Sequence, residues 1–242
     1  MSLPMSSEAR AAPDPLLLLR QSTRAVHDAV EALPAMRRLF AVDYTLDEYR
    51  MLLLALWPFL ESLEAELFSA GQRDRVRTAV SRAAALRQDL RALGAAPAEP
   101  PAVVPHGLPL RSESQRAGVL YVLEGSSLGG QLIRRALLQR FGEPARDYCH
   151  YFDCHAGEAG RQWRNFGKAV RSHPTLDTVA MTDAAQLTFE RFTELIGGVP
   201  VLGPLPPAAS GANTARCPFA RTRELVRQVG SVRDRLWAWM QA

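Results

Sequence analysis

Cysteine is scarce in this chain: Cys149, Cys154 and Cys217 are the only three among 242 residues. Three unevenly spaced thiols make no disulfide framework, so a reducing cytoplasm is the expected setting. Long apolar runs are missing too. The longest, Met51 to Leu60, falls far short of a bilayer span and is interrupted by Pro58. Leu16 to Leu19 is short, preceded by Pro13 and Pro15, and lacks the basic start of an export signal. A soluble protein with no membrane partner is expected. Aromatic residues are 7% of the chain and β-branched clusters are short and scattered, which removes the usual signature of strands. An all-α, single-domain, multi-helix bundle follows. Lysine is nearly absent: Lys168 is the only one, and arginine supplies the rest of the 29 basic residues, against 25 acidic ones, for a net charge of +4. No arginine run is interleaved with aromatics, so no nucleic-acid partner is expected. A basic face nonetheless suits an acidic protein or an acidic small molecule. A dinucleotide-binding G-x-G-x-x-G is missing as well.

What is present centres on Tyr121 to Phe141, YVLEGSSLGGQLIRRALLQRF. Tyr121, Leu123, Leu128, Leu132, Ile133, Leu137 and Leu138 have helical spacing, yet Gly125, Ser126, Ser127, Gly129 and Gly130 hollow out the middle. Each interior glycine costs a helix on the order of 1 kcal/mol against alanine. Two arrangements offset that cost: another helix packed closely through Gly125 and Gly129, or a flat ligand laid on backbone that carries no Cβ.

The remaining chain reads as further helices. Residues 1–13 are polar and small, an expected disordered arm. Asp14 caps a first helix with Pro15 in its first turn, running to about Leu33, where Pro34 ends it. Its apolar stripe is Leu16, Leu19, Val26, Val30 and Leu33, and Arg20, His27 and Glu31 share a second face. On that face His27 and Glu31 make either an ordinary surface pair or a ligating imidazole whose second nitrogen donates to a carboxylate. Thr45 and Glu48 form a capping box before a second, mostly apolar helix to about Phe68, with a kink expected at Pro58. A third helix is expected from Arg73 to Leu93. Gly94 to Leu110, with five prolines, is read as extended. Ser112 and Gln115 cap the helix with the glycines, and Gly142 closes it. Helices from Ala156 to Arg171 and from Thr175 to Ile196 complete a domain over 14–198. A Pro/Gly-rich loop and a helix from Phe219 to Met240 occupy 199–242.

TRAVHDAVE (Thr23 to Glu31), followed nearly a hundred residues later by YVLEGSSLGGQLI (Tyr121 to Ile133), resembles the haem oxygenase family, most of all the bacterial members that accompany bacteriophytochromes. The resemblance spans about Leu16 to Ile196 and implies haem sandwiched between a proximal helix and a kinked distal helix. By position it makes His27 the axial ligand of haem iron and Glu31 its orienting carboxylate. Gly125, Gly129 and Gly130 become the distal glycines, and Arg20 a partner for a haem propionate, with Arg164 a second basic anchor. Arginine suits a carboxylate because its planar fork can bond both oxygens.

Many relatives carry an aspartate directly after the first distal glycine to organise water; here that position is Ser126. Ser126, Ser127, Arg134 and Arg135 are therefore the candidates for ordering distal water, with Ser127 counted among the haem-binding residues. The activity implied is oxidative opening of haem to biliverdin with release of carbon monoxide and ferrous iron, using dioxygen and external electrons. A ferredoxin or a reductase is the implied electron donor, and a bacteriophytochrome a possible recipient of the product. A non-catalytic haem carrier on the same fold is the alternative, and a helical scaffold without haem a third. Cys149, His150, Cys154 and His155 match no common zinc spacing, and Cys217-Pro218 is explained by a loop ending before a helix.

Overall fold

The computed structural model describes residues 14–71, 73–76, 78, 80–95 and 105–206. All regular secondary structure among the described residues is helical. The expected N-terminal arm, the helix from Phe219 to Met240 and Cys217-Pro218 lie outside these residues.

Helix α1 spans Pro15–Ala32, with the Asp14 carboxylate accepting from Leu16 N at 3.0 Å and Pro15 in the first turn. Leu16, Leu19 and Thr23 are its buried residues, while Val26, Val30 and Leu33 are partly buried against the core. Pro34 ends α1 and at once opens a short helix, α2 (Pro34–Arg38), because a fixed φ and a missing N–H suit a first turn. Helix α3 (Leu46–Ala70) starts at the expected Thr45/Glu48 capping box and runs on through Pro58. An interior proline costs about 3 kcal/mol. Burial of Leu52, Leu53, Leu56, Phe59, Leu60 and Leu63 on the same helix, worth about 1.5–3 kcal/mol for each side chain, outweighs that cost.

The third helix is shorter than expected: α4 covers Arg82–Ala92, not Arg73 to Leu93. Polar side chains take backbone N–H groups before it and at its start. Glu113 accepts from Arg75 N at 2.6 Å, and the Glu64 carboxylate caps the start of α4, accepting from Arg82 N at 2.8 Å and Ala83 N at 3.0 Å. Such side-chain bonds compete with a helical ladder.

Helix α5 is Glu113–Phe141, with the Ser112/Gln115 box at its start and Gly142 at its end. Two 3-10 turns, Glu143–Tyr148 and Tyr151–Asp153, which the sequence did not signal, lead to α6 (Ala159–Ser172). α6 starts later than expected because Ala156 and Gly157 adopt positive φ (47° and 82°), which no helix continues through. α7 spans Thr178–Gly197 behind an Asp177 cap, and Val179 and Leu187 of its apolar set are exposed.

Helix α7 packs against both α1 and α5, α5 also against α6 and the 3-10 turns, and α3 against α4. The α5–α7 crossing depends on Gly118, where a Cβ would overlap the Met181 carbonyl. Val199 to Pro206 returns over α2, where the buried Arg38 bonds Glu48 and donates to Pro204 O at 2.7 Å.

Candidate functional site

Thr23 on α1 and Tyr121 on α5 bring their hydroxyls within 3.4 Å of each other in a buried contact. Four residues further along each helix, one turn or about 6 Å, stand His27 and Gly125. The fold thus gathers the two stretches that sequence reading singled out, one on each side of this hydroxyl pair.

The His27 side chain is 50% exposed. Its ring meets Phe189 of α7 edge to face, with centroids 5.6 Å apart. Nε2 lies 3.8 Å from Glu31 Oε1, and Nδ1 3.7 Å from Asp28 Oδ1. Both separations exceed hydrogen-bond length, so either nitrogen can engage a ligand while the other keeps a carboxylate beside it. The ligand atoms of His27, Asp28 and Glu31 all lie within 4.8 Å of one another. Sequence reading had named Glu31 and passed over Asp28, although adjacency to His27 was a usable signal.

The small-residue stretch of α5 divides into two faces. Gly125 is half-buried and Ser126 and Gly129 are exposed, while Ser127 and Gly130 are buried. A Cβ on Gly130 would come 2.9 Å from Phe152 O, so close packing against the second 3-10 turn accounts for that glycine. A Cβ on Gly129 would meet nothing within 4 Å, and one on Gly125 would make ordinary contact with Trp163 at 3.5 Å. Packing therefore explains Gly130 and leaves Gly129, with its helix cost of about 1 kcal/mol, unexplained by any described neighbour. Ser126, although exposed, donates its hydroxyl to Leu123 O at 2.8 Å.

Arg20 is half-buried, with no hydrogen bond or ion pair to the described residues. Its charge, together with the Thr23 hydrogen bond, opposes the rise that burial imposes on the Tyr121 phenol, and burial prevails. Arg164 and Lys168 are exposed on α6, one turn apart. Arg134 is drawn to Asp153 at 3.1 Å, on the 3-10 side of α5.

Beneath the inward face lies a cluster that sequence reading missed. Arg82 Nη2 donates to Leu123 O at 3.0 Å and to Ser127 Oγ at 3.2 Å, and lies 3.1 Å from Glu124 Oε1. His155 Nε2 is 2.9 Å from Glu124 Oε2. Burial would raise the Glu124 carboxyl, but the His155 hydrogen bond and the Arg82 charge outweigh it and hold the pKa at about 2. Ser127 thus faces this cluster, not the open side of α5. The Cys149–His155 run is divided between carboxylates: His150 Nδ1 meets Asp89 at 2.8 Å and His155 meets Glu124, while Cys154 Sγ sits 3.6 Å from Ser127 Oγ.

An imidazole with no hydrogen bond on one helix, side-chain-free backbone on the next and an uncommitted guanidinium nearby fit a flat, metal-bearing ring with acidic substituents. The comparisons with known proteins give the family and the fold. A family model described as "Heme oxygenase" matches residues 16–197. A heme oxygenase from Xanthomonas campestris pv. campestris is 43% identical over 115 residues, which are 46% of this chain and 64% of that relative's length. Heme oxygenase from Leptospira interrogans superimposes with a TM-score of 0.64 at 17% identity, over 76% of this chain and 99% of that one. The NO- and CO-bound heme oxygenase from Neisseria meningitidis gives 0.62 at 20% identity, over 81% and 98%. At such identities the two structures bear on the fold alone.

Proposed function

The chain belongs to the haem oxygenase family, and from that premise we propose that it opens haem oxidatively to biliverdin, releasing carbon monoxide and ferrous iron. The observation that carries the reading is the buried Thr23–Tyr121 contact, which ties the helix of His27 to the helix whose backbone is uncovered at Gly129. Bound haem would supply both the ring that is opened and the iron at which dioxygen reacts.

The protein's own residues bind, orient and exclude. His27 would hold the iron through one ring nitrogen, and the carboxylate beside its other nitrogen, Glu31 or Asp28, would fix the tautomer and strengthen the donor. Gly125 and Gly129 let the backbone of α5 approach the opposite face of the ring and place no acid or base side chain there. Ser126 is the exposed hydroxyl on that face and the group we assign to ordering water. Arg20, seven residues before His27 and thus on the same side of α1, is assigned to one propionate, and Arg164 to the other. Ser127 and Gly130 support the helix from its buried side.

Electrons come from outside, since the sequence has no dinucleotide-binding motif. We assign that task to a ferredoxin or a reductase, and keep a bacteriophytochrome as the candidate recipient of biliverdin. A cytoplasmic setting suits the two described cysteines, which are free thiols, and no described helix is long and apolar enough to cross a membrane.

The test is the visible spectrum of the purified chain with hemin, followed in air after addition of ascorbate or a ferredoxin system. Decay of the Soret band with growth of biliverdin absorption, lost in His27→Ala, is the expected result. A hemin complex that persists through repeated reduction would instead make the protein a haem carrier.

A further inference from the structure

The carbonyl of Leu123 attracts more donors than a helix carbonyl normally accepts. It stands four residues before Ser127, so the helical ladder already assigns it one N–H. The Ser126 hydroxyl reaches it at 2.8 Å, the Ser127 hydroxyl at 3.2 Å and Arg82 Nη2 at 3.0 Å. A carbonyl oxygen has two lone pairs. Hydroxyls that bond back to the preceding turn, and side chains that enter the ladder, both bend helices. This is the turn that delivers Gly125 and Ser126.

The intruding guanidinium comes from another helix, α4, and is 2% exposed. Taking an arginine out of water is costly unless its surroundings compensate. Here Nε and Nη1 have no hydrogen-bond partner among the described residues. Nη2 donates to one turn of α5, to Leu123 O and Ser127 Oγ, and lies 3.4 Å from His155 Nε2, while the balancing charge, Glu124, comes from that same turn of α5. His155 holds the other oxygen of Glu124. A side chain kept only to fill space would be better replaced by an apolar one of equal volume, so its directed bonds call for a directed role.

We propose that Arg82 is a positioning residue for the distal helix: by holding the Leu123 carbonyl and the Ser127 hydroxyl it sets where the open face at Gly125, Ser126 and Gly129 lies. This rests on the haem reading of that face, and deepens it by naming the group behind the helix that fixes its front. Arg82 itself does not touch the substrate.

The experiment begins with the haem-free full chain, so that it stands even where the functional reading fails. Amide hydrogen exchange is followed over residues 121–131 and over α7 in wild type, in Arg82→Lys, and in Arg82→Met/Glu124→Gln, which removes both charges together. The expected result is exchange faster by about tenfold over 121–131 with α7 unchanged, the mark of local opening. Lysine does not rescue, because one ammonium on a shorter stem cannot reach both Leu123 O and Ser127 Oγ while facing Glu124. The ferric hemin complexes are then titrated with pH, and the midpoint of the Soret change is expected to move by about half a unit or more, which loss of stability alone would not produce. Wild-type exchange over 121–131 in both variants, or an acceleration shared equally by α7, overturns the proposal. If the double variant does not fold, Arg82→Lys decides by the same readings. If wild type forms no hemin complex, the haem reading fails, while the exchange comparison still decides what Arg82 does.

Discussion

The Thr23 hydroxyl donates to Leu19 O at 2.7 Å and lies 3.4 Å from the Tyr121 hydroxyl, so one buried threonine joins the helix of His27 to the helix of the glycines. The two partners are not equivalent. Thr23 keeps a backbone acceptor if Tyr121 is truncated, whereas the Tyr121 hydroxyl has no other partner among the described residues if Thr23 is lost.

Thr23→Val is therefore expected to cost more than Tyr121→Phe. A buried hydroxyl left without a partner costs about 1–3 kcal/mol, while removal of both needs little compensation. Urea unfolding of the two single variants and the double variant measures this, and equal costs would refute the asymmetry.

The glycines of α5 are expected to respond in opposite directions to alanine. Gly129→Ala faces open space and should stabilise the haem-free protein by up to about 1 kcal/mol, while weakening hemin binding. Gly130→Ala pushes against Phe152 O and Gly118→Ala against Met181 O, and each should destabilise by about 1–3 kcal/mol through overpacking. Thermal unfolding with a parallel hemin titration separates the ligand-facing glycine from the packing glycines.

The Glu124 carboxyl, held at about 2 against an ordinary 4.5, contributes stability that is complete above the unfolded-state value. That stability is lost as pH falls through the folded one, because protonation removes the charge facing Arg82 and His155. The contribution at neutral pH is on the order of 3 kcal/mol. Glu64 and Asp89, both raised by burial, act with the opposite sign. The informative quantity is thus the difference between wild type and Glu124→Gln, which should shrink between about pH 5 and pH 2. A difference constant over that window would show that the carboxylate is not the charged partner.

Arg20→Gln is expected to weaken hemin binding about tenfold, the size of one charge-assisted hydrogen bond to a carboxylate. Hemin esterified at its propionates should bind wild type and variant alike. If the esterified ring still distinguishes them, Arg20 acts through packing.

Helix identity was legible in the sequence wherever the signal was local. Asp14-Pro15, Thr45 to Glu48 and Ser112 to Gln115 each specify a start through side-chain to backbone bonds within a few residues, and α1, α3 and α5 begin where those boxes place them. The motif pair around His27 and Gly125 was legible too, and with it the family. What only the tertiary structure decided depends on residues distant in sequence. Arg75 and Glu113 meet across the fold and shorten α4 from the length its periodicity implied. Glycine spacing marked α5 as special but was silent on which glycine packs and which stays open; the Phe152 backbone settled Gly130, and open space settled Gly129. Ser127 and Ser126 are adjacent in the chain and face different surroundings, because a helix turns by about 100° at each residue and α4 lies on only one side. Arg82, Glu124 and His155 carry no shared spacing that sequence could display. Their meeting is a consequence of three separate segments packing together, and a buried charge acquires its partner only when the chain has folded.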